Sequence, residues 1–121
     1  MIEKYFVTWD DVETFINIFI DKIKFERKQF TGVYGLPRGG LVFAVMLSNR
    51  LGIPMLMAPC DGCLIIDDIA DSGKSLAHFT ENDTNFCKYY IATMFYHKRS
   101  EVKPDYYQEL KEDRWIVFPW E

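Results

Sequence analysis

Basic charge is scarce in this chain. Its 14 Lys and Arg residues stand against 18 Asp and Glu, giving a formal charge of −4 and an isoelectric point near 5.2. Binding along a nucleic-acid backbone wants a net basic face, so the balance argues against nucleic acid as a partner. An anionic small ligand would have to be held by local donors and metal. Cysteine is scarce as well: three is an odd count with no disulfide framework, which points to a reduced, cytoplasmic protein. Cys60-Asp61-Gly62-Cys63 is a lone C-x-x-C, and Cys87, His78 and His97 add no second closely spaced pair of zinc ligands. Asp61-Gly62 reads instead as a tight turn. No apolar run approaches a membrane span; Leu41 to Leu47, flanked by Gly40 and Ser48, is the longest near the middle. Met1 to Tyr5 lacks the continuous apolar core of a signal peptide. The spacing from Gly35 to Gly40 does not match G-x-G-x-x-G, which argues against a dinucleotide site. Repeats and low-complexity tracts are absent.

What is present fits one domain over residues 1–121, long enough for a real core. Aromatics, at 17%, exceed what a small core needs. Some are expected to stack on a ligand or to line a subunit interface, which suggests a homodimer.

Along the chain, residues 5–8 read as a short extended segment. Thr8 is placed to cap a helix, with Asp11 completing an acidic capping box. Val12, Phe15, Ile16, Phe19, Ile20 and Ile23 recur at helical spacing, so a core-packing helix is expected from about Trp9 to Phe25. Residues 30–35 read as a strand, 36–40 as a glycine turn, and Leu41 to Leu51 as a buried helix ended by Gly52. That is the start of a β-α-β unit. A second short strand is expected over 53–58. Residues 81–85 read as a polar loop, with Asn82-Asp83-Thr84 formally a glycosylation sequon. Residues 89–96 read as a further strand delivering His97, Lys98 and Arg99 to its end. Residues 104–112 read as a polar connection with room for a helical turn, and 115–120 as a closing edge segment that Pro119 ends.

The chain is organised around Cys63 to Leu76. An apolar run, Leu64-Ile65-Ile66, stops at Asp67 and Asp68, with Asp71 following and then Ser72-Gly73-Lys74-Ser75 opening a helix. This predicts a buried strand whose end carries three carboxylates, where ligands usually sit on an open parallel sheet. Free backbone N–H groups, two hydroxyls and a Lys suit a phosphate monoester. Acids for sugar hydroxyls or a metal, beside a phosphate cradle, describe a site for a phosphorylated sugar. Gly73-Lys74-Ser75 looks like the tail of a Walker A loop, but that loop needs a glycine at position 68, where Asp68 stands.

The segment Ile65 to Leu76 resembles the phosphoribosyl diphosphate (PRPP) signature of type I phosphoribosyltransferases: apolar strand, two acids, two apolar residues, then Asp-Ser-Gly-Lys-Ser. Arg38-Gly39-Gly40 is similar to the family's pyrophosphate loop, which often carries a cis peptide just before the basic residue. Lys98 and Trp115-Ile116 resemble the base-binding elements of members that use 6-oxopurines. The opening residues 5–10, the Arg38-Gly39-Gly40 loop and the ending Asp113 to Ile116, with Pro119-Trp120-Glu121, look most like the bacterial xanthine–guanine enzymes.

The resemblance implies an α/β, three-layer fold with a mainly parallel central sheet flanked by helices and a small hood from the N- and C-terminal segments. It implies transfer of ribose 5-phosphate from PRPP and Mg²⁺ to a 6-oxopurine, with release of pyrophosphate, in purine salvage. On that reading Arg38, Gly39 and Gly40 hold pyrophosphate, and Asp67 and Asp68 hold the ribose hydroxyls and the metal's water shell. Ser72, Gly73, Lys74 and Ser75 then bind the 5-phosphate, Lys98, Trp115 and Ile116 meet the base, and Asp71 takes the proton from purine N7. The family's mobile hairpin before the signature strand is nearly absent from residues 53–63, so a non-catalytic PRPP- or nucleotide-binding regulator is the alternative.

Overall fold

The computed structural model describes residues 2–81 and 88–121. The polar loop and sequon expected after Glu81, and Cys87, lie outside the described residues. Two short strands and a long helix open the chain: β1 (Lys4–Phe6), α1 (Trp9–Phe25) and β2 (Val33–Gly35). They are followed by α2 (Leu41–Leu51), β3 (Leu64–Ala70), α3 (Lys74–Glu81), β4 (Tyr90–Tyr96), β5 (Tyr106–Leu110) and β6 (Trp115–Val117).

Local chemistry sets the helix boundaries. Thr8 Oγ1 accepts from the Asp11 N–H at 3.1 Å while Asp11 Oδ2 accepts from the Thr8 N–H at 2.9 Å. This reciprocal cap satisfies two N–H groups that the first turn of α1 leaves without partners. Acids sit in that helix's first turn and Lys22 and Lys24 in its last, which suits the helix dipole. Its stripe from Val12 to Ile23 is buried as the spacing predicts. Gly52 ends α2 in the left-handed conformation, φ 67°, a backbone state that costs glycine nothing.

The central sheet has strand order β2-β3-β4-β5, all neighbours parallel. One face packs on α1 and α2 through Phe15, Phe19, Phe43, Leu64, Ile66 and Met94. The other packs on α3 through Ile65, Leu76, Ala77, Ile91 and Tyr96. The two chain ends pair separately, β1 parallel to β6, forming the hood. Among the described residues no helix is long and apolar enough to cross a membrane.

Three details differ from the sequence expectation. Residues 53–58 form no strand: Met55 alone bridges to Val33, Pro54 has no N–H to give, and Met57 is 96% exposed, leaving Ile53 and Leu56 as the partly buried anchors of an irregular segment. Residues 104–112 hold β5 instead of a helical turn. There Tyr106 lies 5.2 Å from the Phe19 ring, a packing reward that local polarity does not reveal. The signature strand does not end at Ile66 but runs through Asp67 and Asp68 to Ala70, because Asp67, Ile69 and Ala70 keep pairing with β4. Residues 115–117 pair with β1, which makes the hood of N- and C-terminal segments that the resemblance implies.

Much of the aromatic excess is internal. Phe118 stacks on Trp120 at 5.0 Å, Trp120 meets Trp9 at 5.8 Å and Phe43 at 5.3 Å, and Phe15 meets Phe43 at 5.4 Å. This cluster joins the hood to the main core. Phe15→Ala should therefore cost about 3–5 kcal/mol of unfolding free energy. Phe25→Ala, at a side chain 89% exposed, should stay within about 0.5 kcal/mol in the same urea titration.

Candidate functional site

Three turns meet beyond the C-terminal ends of β2, β3 and β4. The turn after β2 is laid directly on β3. The Leu36 N–H donates to the Ile66 carbonyl at 3.0 Å, and the Pro37–Arg38 peptide is cis. A Cβ on Gly39 would collide with the Asp68 carboxylate, and one on Gly40 with the Ile66 carbonyl oxygen. Glycine is needed at both places for closeness of approach, and the result is a backbone loop seated against the acids of β3. Arg38 is exposed beside it.

The acids themselves are half-buried. Asp67 Oδ1 accepts from the Asp68 N–H at 2.8 Å and Asp68 Oδ1 from the Ile69 N–H at 2.7 Å. No Lys, Arg or His side chain forms an ion pair with either among the described residues. Burial, and next the charge of Asp68, push the Asp67 carboxyl up to about 8. Burial also raises Asp68, which the Asp67 side chain partly relieves by hydrogen bonding. Burial and mutual repulsion thus disfavour two negative charges on this pair in the ligand-free protein.

After the strand, Ser72 and Gly73 turn the chain into α3. Gly73 has φ 78°, its carbonyl accepts from the Ala77 N–H at 2.8 Å, and Ser72 Oγ accepts from the Lys74 N–H at 3.3 Å. The first-turn N–H groups of α3 have no helical carbonyl ahead of them, and the Ser72, Lys74 and Ser75 side chains are exposed around them. This turn is braced from behind: the Glu101 N–H donates to the Ser72 carbonyl at 2.9 Å, and a Cβ on Gly73 would strike Ser100 Oγ.

Asp71 is clamped between cations. Arg99 Nη2 and Nε reach its Oδ1 at 2.8 and 3.0 Å, and Lys111 Nζ lies 3.6 Å from its Oδ2. Beside it is a cavity of about 290 Å³ lined by Asp71, His97, Arg99, Lys111, Arg114 and Trp115, among others. Trp115 is 59% exposed and has a free ring face, whereas the Ile116 side chain is buried in the core and can offer only backbone. Lys98 is exposed on the turn after β4 and does not line this cavity. A larger open hollow of about 810 Å³ beside Gln108 and Glu109 holds none of the residues given a catalytic or binding role from the sequence.

The structure thus brings Gly39, Gly40, Asp67 and Asp68 together, sets Ser72 to Ser75 at the same sheet edge, and places Asp71 and Trp115 around one hollow. It adds Lys111, which sequence reasoning missed because β5 was read as a connection. The Lys111 N–H extends the β4–β5 pairing by donating to the Tyr96 carbonyl at 2.9 Å, which aims the residue at Asp71. His97 and Arg99 stood visibly at the end of β4 but without a role.

No family model matches the chain. A purine phosphoribosyltransferase structure from Pyrococcus horikoshii superimposes with a TM-score of 0.84 at 30% identity, covering 99% of this chain and 95% of that one. The chain belongs to the type I phosphoribosyltransferase family. Membership makes it a pentosyl-transferring glycosyltransferase by descent. The xanthine-guanine phosphoribosyltransferase of Vibrio parahaemolyticus is 26% identical over 143 aligned positions, spanning 100% of this chain and 91% of that protein. Those positions outnumber the 121 residues here, so the relative carries segments that this phosphoribosyltransferase lacks. The fold is shared as well with the xanthine-guanine-hypoxanthine phosphoribosyltransferase of Helicobacter pylori, TM-score 0.84 at 18% identity, covering 98% and 94% of the two chains.

The raised Asp67 carboxyl has a thermodynamic signature. A carboxyl whose folded pKa lies above its unfolded value binds a proton more tightly in the native state, so stability falls as pH rises between the two values. The Tm of the ligand-free protein should therefore decline from about pH 5 towards about pH 8, and Asp67→Asn should remove most of that decline. Calorimetric Tm against pH checks both; a wild-type Tm rising through this window would contradict the assignment.

Proposed function

We propose that this phosphoribosyltransferase transfers ribose 5-phosphate from PRPP to a 6-oxopurine, guanine, xanthine or hypoxanthine, and releases pyrophosphate, as a purine-salvage step. The observation that carries the reading is the seating of Gly39 against Asp68, which puts a loop of backbone N–H groups beside a carboxylate pair. A phosphate turn lies on one flank and a cavity of about 290 Å³ on the other.

The chemistry follows from placement. Breaking the bond between ribose C1 and pyrophosphate builds positive charge on the sugar and negative charge on the departing oxygens, so the site must align both partners and stabilise the leaving group. The Gly39 and Gly40 amides and the guanidinium of Arg38, whose planar fork suits phosphate, meet the pyrophosphate. Ser72, Gly73, Lys74 and Ser75 hold the 5-phosphate at the start of α3. Asp67 and Asp68 accept from the ribose hydroxyls. Trp115 offers its exposed ring face to the base, with the backbone at Ile116 behind it and Lys98 on the neighbouring turn.

Asp67 and Asp68 also fit magnesium. They are adjacent, half-buried and unpaired with any cationic side chain, and among the described residues no third His, Cys, Asp or Glu joins them in a cluster. That donor set suits an ion that keeps waters and substrate oxygens for most of its shell. When bound, magnesium supplies positive charge to the pyrophosphate oxygens.

Asp71 is the group proposed to accept the proton from the base N7. Its Oδ1 is occupied by Arg99, whose side chain is 62% exposed, whereas Lys111 on Oδ2 is only 12% exposed. The incoming base is therefore expected to displace Arg99 and leave Lys111 holding the carboxylate in position. A homodimer is the proposed working assembly, which light scattering checks.

Pyrophosphate release from PRPP and magnesium, measured with each purine in turn, tests the reading; release with none of them overturns it. Asp71→Asn should lower turnover by about 10²- to 10⁴-fold while PRPP still binds by calorimetry. Wild-type turnover in that variant would remove Asp71 from the role.

A further inference from the structure

We propose that His97 is a specificity-determining residue, its Nε2–H donating to an exocyclic carbonyl oxygen of the base held beside Asp71 and so selecting oxo- over aminopurines. The inference rests on the reading above that the base occupies this cavity.

The backbone of His97 is pinned on both sides: its N–H donates to the Ala70 carbonyl at 2.8 Å and its carbonyl accepts from the Ser100 N–H at 2.9 Å. The ring is pinned too, because Nδ1 accepts from the Arg99 N–H at 3.1 Å. A ring nitrogen that accepts an N–H carries no proton, so in the neutral imidazole the proton is on Nε2. His97 lines the hollow together with Asp113, and the nearest ionic neighbour of Nε2, Asp113 Oδ1, is 3.7 Å away, beyond hydrogen-bond range. The Asp113 side chain is fully exposed, so water serves it when a ligand takes the imidazole N–H.

The other cations around the cavity are committed or exposed. Lys111 stays on Asp71, and Arg99, 62% exposed, is left to solvent once the base displaces it. Arg114 donates to the Leu110 and Lys111 carbonyls at 2.6 and 3.1 Å and lies 4.9 Å over the Tyr5 ring. Nε2 of His97, on a side chain 18% exposed, has no hydrogen bond among the described residues; the Trp115 indole N–H, also at the hollow and without one, belongs to a side chain 59% exposed that water can serve. A carbonyl oxygen completes the His97 donor. An amino group at the same place would set N–H against N–H and leave both unpaired, which disfavours the aminopurine.

The test compares kcat/KM for hypoxanthine and adenine in the wild type, His97→Leu, His97→Gln and Lys98→Ala, with KM for PRPP followed in parallel. His97→Leu should lower kcat/KM for hypoxanthine by about 10- to 100-fold and collapse the oxo-to-amino ratio, with KM for PRPP within about twofold. His97→Gln, whose amide presents either an N–H or an oxygen, should recover hypoxanthine use in part while admitting adenine. A second readout needs no turnover: ¹⁵N NMR of the ligand-free protein should show His97, assigned by its loss in His97→Gln, as the Nε2–H tautomer. The inference is overturned by an Nδ1–H tautomer, by a His97→Leu enzyme that keeps its oxo preference, or by Lys98→Ala carrying the larger loss. Active enzyme indifferent to His97 sinks this inference alone, whereas a wild type that neither binds nor converts any purine sinks it together with the proposed function.

Discussion

Two carboxylates held side by side in a half-buried strand repel one another and are poorly served by solvent, and the rest of this structure is arranged about that conflict. Asp67 and Asp68 find only backbone N–H groups and each other. In a small protein such a pair is a standing cost, tolerated where a ligand brings the missing positive charge or the missing donors. The surrounding loops are shaped to let that ligand in close. The glycines at 39 and 40 bring a backbone loop to van der Waals distance of β3, and the left-handed Gly73 turns the chain into α3 within a few residues of the acids.

Asp71 resolves a similar problem in the opposite way. It leaves the strand into the company of Arg99 and Lys111, one largely exposed and one largely buried. The exposed partner is cheap to remove and the buried one is not, because a long side chain already ordered by its neighbours has little further entropy to lose. The two ends of the site thus differ in electrostatic character: deficient in positive charge at Asp67 and Asp68, replete with it at Asp71. A substrate with an anionic, metal-bearing end and a neutral heterocyclic partner suits that polarity.

Where local chemistry decides, the chain was legible from its sequence. The capping box at Thr8 and Asp11, the α1 stripe, the Gly52 stop and the signature from Ile65 to Leu76 all depend on neighbours within a few residues, and the structure keeps each of them. The misread segments are those decided at a distance. β5 exists because Tyr106 packs on Phe19 and pairs with Ala92, partners far away in sequence, and missing it hid Lys111. The strand expected over 53–58 fails because only Met55 finds a pairing partner, at Val33, although Ile53 and Leu56 pack on the core. The strand through Asp67 and Asp68 is longer than its apolar run, since pairing with β4 outweighs the presence of two acids.

The bracing of the phosphate turn has an evolutionary consequence. On the proposed function, residues 97–102 line the base end with His97 and at the same time back Ser72 and Gly73 through Ser100 and Glu101. One short hinge therefore serves both halves of the substrate pair. A lineage that retuned its choice of nucleobase by inserting or deleting a residue in this hinge would loosen its grip on the sugar-phosphate as well. Drift in specificity is thereby channelled into side-chain exchanges at fixed length.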